Sequence, residues 1–405
     1  MWENDVDIFD IKELKVRSSV YFGAGAIKAF DSIIKKLKEE KNVDKVIVIS
    51  GRNAYKITGA WDYTESVLKA YGIEYVNYDR VTPNPTVYHV DEAAHKAYEF
   101  GAKAVIAIGG GSAIDTAKAV GILAEYPENN AAELMEVKFL PQKSLPVVAI
   151  NLTHGTGSET NRFAVITISE KKYKPAIAFD FMYPYASIDD AQLMTKLSAS
   201  QTLYVSIDAV NHVIEAATSQ MASPYSITLA KETIRLVAKY LPKVMKNLED
   251  LKSRYFLSYA AFLGGVSFDN AGLHCTHALE HPLSAVKPEL AHGLGLAILL
   301  PSVIKYIYPA KAQTLADILS PIVPDLKGMP NEAGYAAKKI EKWLFDLGVT
   351  QKLSDEGFTE EDTFKLTKLA FDTPSLGSLL SIAPIEANTD IVNAIYTESL
   401  TAYNG

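Results

Sequence analysis

The chain of 405 residues has a single cysteine, Cys275, so no intramolecular disulfide can form and a thiolate metal cage is excluded. Cys275 lies in an apolar helical pattern and reads as a buried, inert thiol rather than a nucleophile. Long basic runs are missing too. Lysines cluster only briefly, as at Lys35–Lys36 and Lys171–Lys172, and the net charge is −8, which argues against a general nucleic-acid or anionic-membrane binder. The first ten residues, MWENDVDIFD, lack the basic and apolar regions of a signal peptide, so a cytoplasmic protein is expected. The longest apolar run, Leu294 to Ile304, is interrupted by Pro301 and reads as too short to span a bilayer. Neither an internal repeat nor a low-complexity tract is visible. The two common phosphate-binding fingerprints, G-x-G-x-x-G and the P-loop with its lysine, are absent as well.

What is present fits a two-domain soluble globular protein. Apolar residues make up 48% and charged residues 22%, and the length is too great for one core. Up to about residue 190, short β-branched runs alternate with helical stretches. Strands are expected at Lys45–Ser50, Glu74–Tyr78, Lys103–Ile108 and Pro146–Asn151, with helices near 53–71, 86–100 and 112–124. Continuous apolar strands separated by helices of this length predict βαβ units around a buried parallel sheet, with ligands at the carboxyl ends of the strands.

Three strand-end turns could therefore carry chemistry. Gly109-Gly110-Gly111-Ser112 follows the third of these strands; its glycines allow close backbone approach, and Ser112 is expected to cap a helix whose amino end favours phosphate. The turn Thr153 to Thr160 (THGTGSET) follows the next strand and could cradle the same pyrophosphate from its other side; His154 within it reads as an exposed loop histidine. Ser50-Gly51-Arg52-Asn53 follows the first. It offers no carboxylate to hold ribose hydroxyls, but it has room and an arginine for a 2′-phosphate, which predicts NADP(H) over NAD(H).

Beyond residue 190 the pattern turns helical, with segments near 198–219, 224–248, 251–270, 273–285, 293–307, 331–346, 359–371 and 386–402. The expected organisation is an α/β dinucleotide-binding domain with a parallel sheet over 1–190 and an all-α metal-binding domain over 191–405. Within SIDAVNHVIEA, Asp208 and His212 stand at i, i+4 and could grip one divalent ion from a single helix, with Glu215 one turn on as an extra ligand. Four of the eight histidines fall between Gly272 and Gly293. His274, His277 and His281 would share a helix face, and His292 follows; spacing does not choose among the first three.

These motifs, in this order, resemble the iron-containing (group III) alcohol dehydrogenases. GGGSAIDTAK and THGTGSET are similar to that family's two cofactor loops, and PNPT (83–86) to a cofactor-side element. DAVNHVIEA is similar to its first metal helix and GLHCTHALEHPLSAVKPELAHG to its histidine signature, so the resemblance runs through the whole chain. It implies Asp208, His212, His277 and His292 as metal ligands, His281 beside the substrate as the catalytic proton relay, and a supporting place for His274. It also implies that Gly110, Gly111 and Ser112 bind pyrophosphate and that Asn84, Thr153, Thr156 and Lys174 line the cofactor. The family's acidic residue after the first strand is missing at Gly51, in keeping with Gly51, Arg52 and Asn53 receiving NADP(H). Two departures stand out: His154 replaces a small residue, and the segment from His281 to His292 is one residue longer.

The expected activity is reversible hydride transfer between NADP(H) and a primary or secondary alcohol or its aldehyde or ketone. The ion would be Fe²⁺ first, with Zn²⁺ or another divalent metal as alternatives, since an N₃O donor set suits several. A zinc-dependent, glycerol-dehydrogenase-like polyol enzyme and a non-catalytic NADP(H)- and metal-binding protein are the rival readings. A homodimer, formed through an N-terminal strand at Lys15–Phe22, is implied by the resemblance.

Overall fold

The computed structural model describes residues 17–403. Its centre is a six-stranded, wholly parallel sheet of order β1-β8-β5-β4-β2-β3. The strands are β1 (Val20–Phe22), β2 (Lys45–Ser50), β3 (Glu74–Tyr78), β4 (Ala104–Gly109), β5 (Val147–Asn151) and β8 (Ala186–Asp189). The four strands expected at 45–50, 74–78, 103–108 and 146–151 are all there, each within a residue. Of the strand expected at Lys15–Phe22, Val20–Phe22 is formed, while Lys15 and Val16 lie outside the described residues. Strand β8 and a small antiparallel pair, β6 (Phe163–Val165) with β7 (Ala176–Ala178), were not anticipated: runs of three or four residues leave too little periodicity to read.

Alternate side chains of the central strands enter opposite layers, as a pleat requires. Ile47, Ile49, Val105, Ala107, Val147 and Ala149 pack into one apolar cluster with α4 (Val87–Phe100) and α5 (Gly111–Leu123). Val46, Val48, Ile106, Ile108, Val148 and Ile150 join the other, with α1 (Ala29–Lys41) and α3 (Ala60–Ala70). Burial on both faces explains why these strands are apolar throughout instead of alternating. The single helix expected over 53–71 is broken into α2 (Ala54–Ile57) and α3 at Gly59, whose φ of 80° ends one helix and starts the other.

The last strand ends at Asp189, and the chain is helical from Ala199 on. A third core cluster is built from these helices, among them α7 (Ala199–Thr218), α8 (Pro224–Val244), α9 (Leu251–Ala271), α10 (Cys275–Val286) and α11 (His292–Ile307). Ser198 and Asp250 cap α7 and α9 through their side chains. One correction concerns α11. Together with the turn after it, His292–Ala310 is long and apolar enough in composition to cross a membrane, although 78% of that stretch is buried inside the protein as a core helix would be.

Candidate functional site

Between β2 and β4 the strand order reverses direction, and this is where an open α/β sheet forms a ligand crevice. A cleft of about 500 Å³ lies there, lined by Gly51, Asn84, Gly109 to Ala113, Thr153 and Thr156 from the sheet side. Asp208, Ala291, His292 and Gly293 line it from the helical side. Helix α5 begins at Gly111 with Gly110 as its N-cap, and no side chain caps it. Ser112 is thus already inside the first turn, contrary to the expected capping role, and the amino end is left open to an anion. A Cβ on Gly110 would come within 2.6 Å of the Thr153 side chain, and one on Gly111 within 2.6 Å of Thr156, so the two predicted loops meet face to face only because both positions are glycine. Arg52 and Asn53 are exposed, next to Gly51 in the chain but not among the lining residues.

The cleft continues into a second cavity of about 180 Å³. Ser112, Thr156, Asp208 and His292 line both. In the second cavity, His212, His277 and His281 face a mostly apolar wall that includes Phe163, Val165, Phe268, Leu273 and Leu379.

Three of the four residues implied as ligands, Asp208, His277 and His292, group closely, and His212 approaches them through Asp208. From Asp208 Oδ1 the nearest imidazole nitrogens are His212 Nε2 at 3.3 Å, His277 Nε2 at 3.4 Å and His292 Nε2 at 3.9 Å. Donors held about 2.1 Å from one ion in a tetrahedron stand about 3.4 Å apart, so these gaps suit a shared cation. The ligand atoms of Asp208, His277 and His292 all lie within 4.8 Å of one another, and the His212 ring stacks on that of His277 with centroids 4.6 Å apart. His212 and His277 present Nε2 to the carboxylate, and Nδ1 of His212 is buried with no hydrogen-bond partner among the described residues. The donor set and its spacing fit a divalent ion.

Two glutamates orient this set. Glu215, expected as an extra ligand, does something else. Its Oε2 bonds Nδ1 of His277, and its Oε1 accepts the backbone amides of Thr276 at 2.7 Å, His274 at 3.0 Å and His277 at 3.3 Å. The carboxylate therefore closes the amino end of α10 and fixes the ring of His277, the pairing of carboxylate, histidine and metal that fixes a ligand's tautomer. Glu280 bonds Nδ1 of His292 in the same manner. Neither glutamate's role has a sequence signal of its own; only the crossing of α7, α10 and α11 brings them to their histidines. A second trio, Glu280, His281 and His292, also groups closely, but the Lys174 ammonium stands 3.5 Å from Glu280 Oε2 and already supplies its positive charge.

The remaining histidines separate by environment. His281 donates from Nδ1 to the Lys174 carbonyl at 2.8 Å, leaving Nε2 as an acceptor, and it lines the smaller cavity. His274 does not share the helix face with the others. It precedes α10, accepts the Cys275 amide on Nδ1 and pairs Nε2 with Thr218 Oγ1 at 2.9 Å. His154 is likewise not exposed, as expected, but buried against Arg254, whose Nη1 lies 2.9 Å from its Nε2. Cys275 is fully buried, and burial pushes its thiol up. Lys174 sends its ammonium to Asn84 and Ser284 as well as to Glu280, and it lines the smaller cavity together with Gly111 and Ser112.

Charge at the site favours a cation. Burial would push His277 down, but the Glu215 and Asp208 carboxylates on its two nitrogens pull it up to about 9. Burial likewise works against the Asp208 carboxylate, yet His212, His277 and His292 hold it below the usual range. Burial pushes His212 down to about 4 and, with the nearby Lys174 ammonium, pushes His281 well below its ordinary value. Two neutral imidazoles thus stand beside a point where paired carboxylates call for positive charge.

Comparison with known proteins agrees with this arrangement. Residues 18–191 match the model of the iron-containing alcohol dehydrogenases, and residues 202–400 match that of the Fe-containing alcohol dehydrogenase family, C-terminal. The chain is 57% identical to the long-chain primary alcohol dehydrogenase of Thermoanaerobacter ethanolicus, over 98% of this chain and all of that one. Among solved structures, the alcohol dehydrogenase of an archaeon from a Red Sea brine pool superimposes with a TM-score of 0.88 at 27% identity, covering 98% of this chain and 100% of the other. The NADH-dependent butanol dehydrogenase A of Thermotoga maritima does so with 0.87, also at 27%, covering 97% and 99%. With both halves matched in order and its glycine turn and histidine cluster facing one cleft, the chain belongs to the iron-containing alcohol dehydrogenase family.

Proposed function

We propose that the protein interconverts a long aliphatic primary alcohol and its aldehyde with NADP(H), at a divalent metal held by Asp208, His212, His277 and His292. The observation that carries this reading is the sharing of Asp208 and His292 between the glycine-lined cleft and the histidine-lined cavity, which sets a nucleotide site and a cation site wall to wall. Fe²⁺ is our first choice of ion, from the family's name, and the donor set would accept Zn²⁺. When bound, the ion supplies Lewis-acid polarisation of the substrate oxygen.

The chain's own residues do the rest. Gly110, Gly111, Ser112, Thr153 and Thr156 hold the pyrophosphate at the open amino end of α5, and Asn84 closes the cleft on the side of the helical loop. Gly51, Arg52 and Asn53 take the adenosine end. Arg52 is exposed and follows Gly51, which lines the cleft, and a guanidinium there would meet a 2′-phosphate, which supports NADP(H). His281, neutral and with Nε2 unprotonated, accepts the alcohol proton. Phe163, Val165, Phe268, Leu273 and Leu379 offer an apolar wall to an alkyl chain, in keeping with the long-chain primary alcohol in the name of the Thermoanaerobacter relative.

We assign the cofactor half to 1–190 and the metal half to 191–405, and place the protein in the cytoplasm as a homodimer. Phe22 on the outermost strand packs against the half-exposed Tyr255 and Tyr259, an aromatic patch that supports the dimer reading. The test of function is NADPH and NADH oxidation with a series of straight-chain aldehydes, on protein stripped of metal and reloaded with Fe²⁺ or Zn²⁺. Full activity in the stripped protein, or none with any aldehyde after reloading, would defeat the proposal.

A further inference from the structure

Of the four implied ligands His292 is the least secured. Its side chain is 26% exposed, against 3–5% for those of Asp208, His212 and His277. It is the first residue of α11, straight after the loop 287–291, so its own backbone fixes it from one side only. What holds it comes from elsewhere, by two routes that meet at one side chain.

The first route is through Glu280. Its Oε2 takes Nδ1 of His292, and the same oxygen faces Lys174 Nζ at 3.5 Å; the Glu280 and Lys174 side chains are both buried. Ser284 Oγ, one turn further along α10, takes a second bond from the ammonium at 2.8 Å. The second route is through the loop. Lys174 Nζ donates to Asn84 Oδ1 at 2.9 Å, and Asn84 Nδ2 donates to the carbonyls of Pro288 at 2.9 Å and Leu290 at 3.3 Å, just ahead of His292. Asn84 is held for this at a φ of 52°, in the left-handed region that asparagine tolerates. The Lys174 carbonyl also receives His281 Nδ1. Lys174 comes from the segment leading into β7, in the sheet half, and its ammonium reaches the helical half at Glu280, which bonds His292, and at Ser284.

We propose that Lys174 is a positioning residue: its ammonium clamps Glu280 and Asn84 together across the cleft and so sets the ring of His292 for the metal. This rests on the metal reading given above. A close contact supports it: a Cβ on Gly295 would fall 2.8 Å from Glu280 Cγ and 3.1 Å from its Oε1, so the glycine one turn into α11 is what leaves Glu280 room to reach His292.

The experiment is chelator-competition titration of metal-stripped protein with Zn²⁺, and the absorption spectrum with Co²⁺, neither needing cofactor or turnover. Lys174→Met should weaken Zn²⁺ binding by roughly 10–100-fold and alter the Co²⁺ bands, as loss of an outer partner of a ligand does. Glu280→Gln should do the same. In a His292→Ala background, Lys174→Met should cost nothing further, since its effect passes through that ring. If Lys174→Met fails to fold, Gly295→Ala, which crowds Glu280 with every ligand intact, takes its place with the same expected loss. Zn²⁺ affinity unchanged in Lys174→Met, or lowered equally with and without His292, overturns the proposal while leaving the metal site standing. Absence of Zn²⁺ binding by the unaltered protein overturns both.

Discussion

Glu215 reaches His277 with one carboxylate oxygen and the first amides of α10 with the other, so a single buried side chain both starts the helix and aims its histidine. Removing that charge should therefore act on stability and on metal binding at once. Glu215→Ala is expected to cost about 2–4 kcal/mol of unfolding free energy, because a buried imidazole and three amides lose their acceptor. Metal affinity should fall by roughly 10–100-fold. Denaturant unfolding of the stripped protein measures the first and chelator competition the second. A variant as stable as its parent would show that the contact carries little.

Asp208→Ala and His277→Ala separate the two cavities. Each should abolish turnover and stoichiometric metal, yet leave the dissociation constant for NADPH within about two-fold, since the glycine turn and its facing threonines are untouched. Elemental analysis and cofactor fluorescence are the two measurements. Retained metal with lost activity would move Asp208 or His277 out of the ligand set.

The proposed preference for NADP(H) rests on Arg52, exposed just after β2. Arg52→Asp replaces a donor to a 2′-phosphate by a charge that repels it and can hold ribose hydroxyls. The ratio of kcat/KM for NADPH to that for NADH should drop by about 10–100-fold. An unchanged ratio, or a parent enzyme that prefers NADH, would show that another residue reads the ribose.

His154 gives a prediction about pH. Burial, reinforced by the Arg254 charge, pushes it down to about 3 from an ordinary 6.5, so the native protein keeps it neutral. Between those values the unfolded chain binds a proton the native one does not. The stability it contributes is whole above pH 6.5 and is lost as pH falls toward 3, by up to about 1.4 kcal/mol per unit. His154→Gln, which keeps an acceptor for the guanidinium, should therefore lose less stability than the parent between pH 7 and pH 4.5 in denaturant titrations. Equal acid slopes would mean that other groups set the limit.

How much of this was legible beforehand depended on the range of the interaction. Strands β2, β4 and β5 are runs of five or six largely apolar residues rich in valine and isoleucine, a local signal, and the glycine turn is contiguous in the chain. Asp208 with His212 is likewise a one-turn pair whose meaning spacing alone could suggest. The choice between His277 and His281 was different. Both fit the spacing, and only family resemblance separated them until the tertiary contacts showed His277 facing Asp208 and His281 tied to the Lys174 carbonyl.

Other readings went astray for the same reason. Ser112 looks like a cap from its neighbours, but the cap is Gly110, two residues earlier, where the backbone sits against Thr153. His154 looks exposed because its loop is polar, and it is buried because Arg254, 100 residues away, packs over it. Glu215 looks like a ligand, being two helical turns from Asp208, and becomes instead the partner of a histidine on another helix. By itself the sequence determined the strands, the glycine turn and the inventory of possible ligands, since periodicity and residue type are local properties. Which side chain meets which, and so which histidine is aimed, which is neutral and which merely supports, was decided by the crossing of α7, α10 and α11 against the sheet, because those contacts join residues dozens of positions apart.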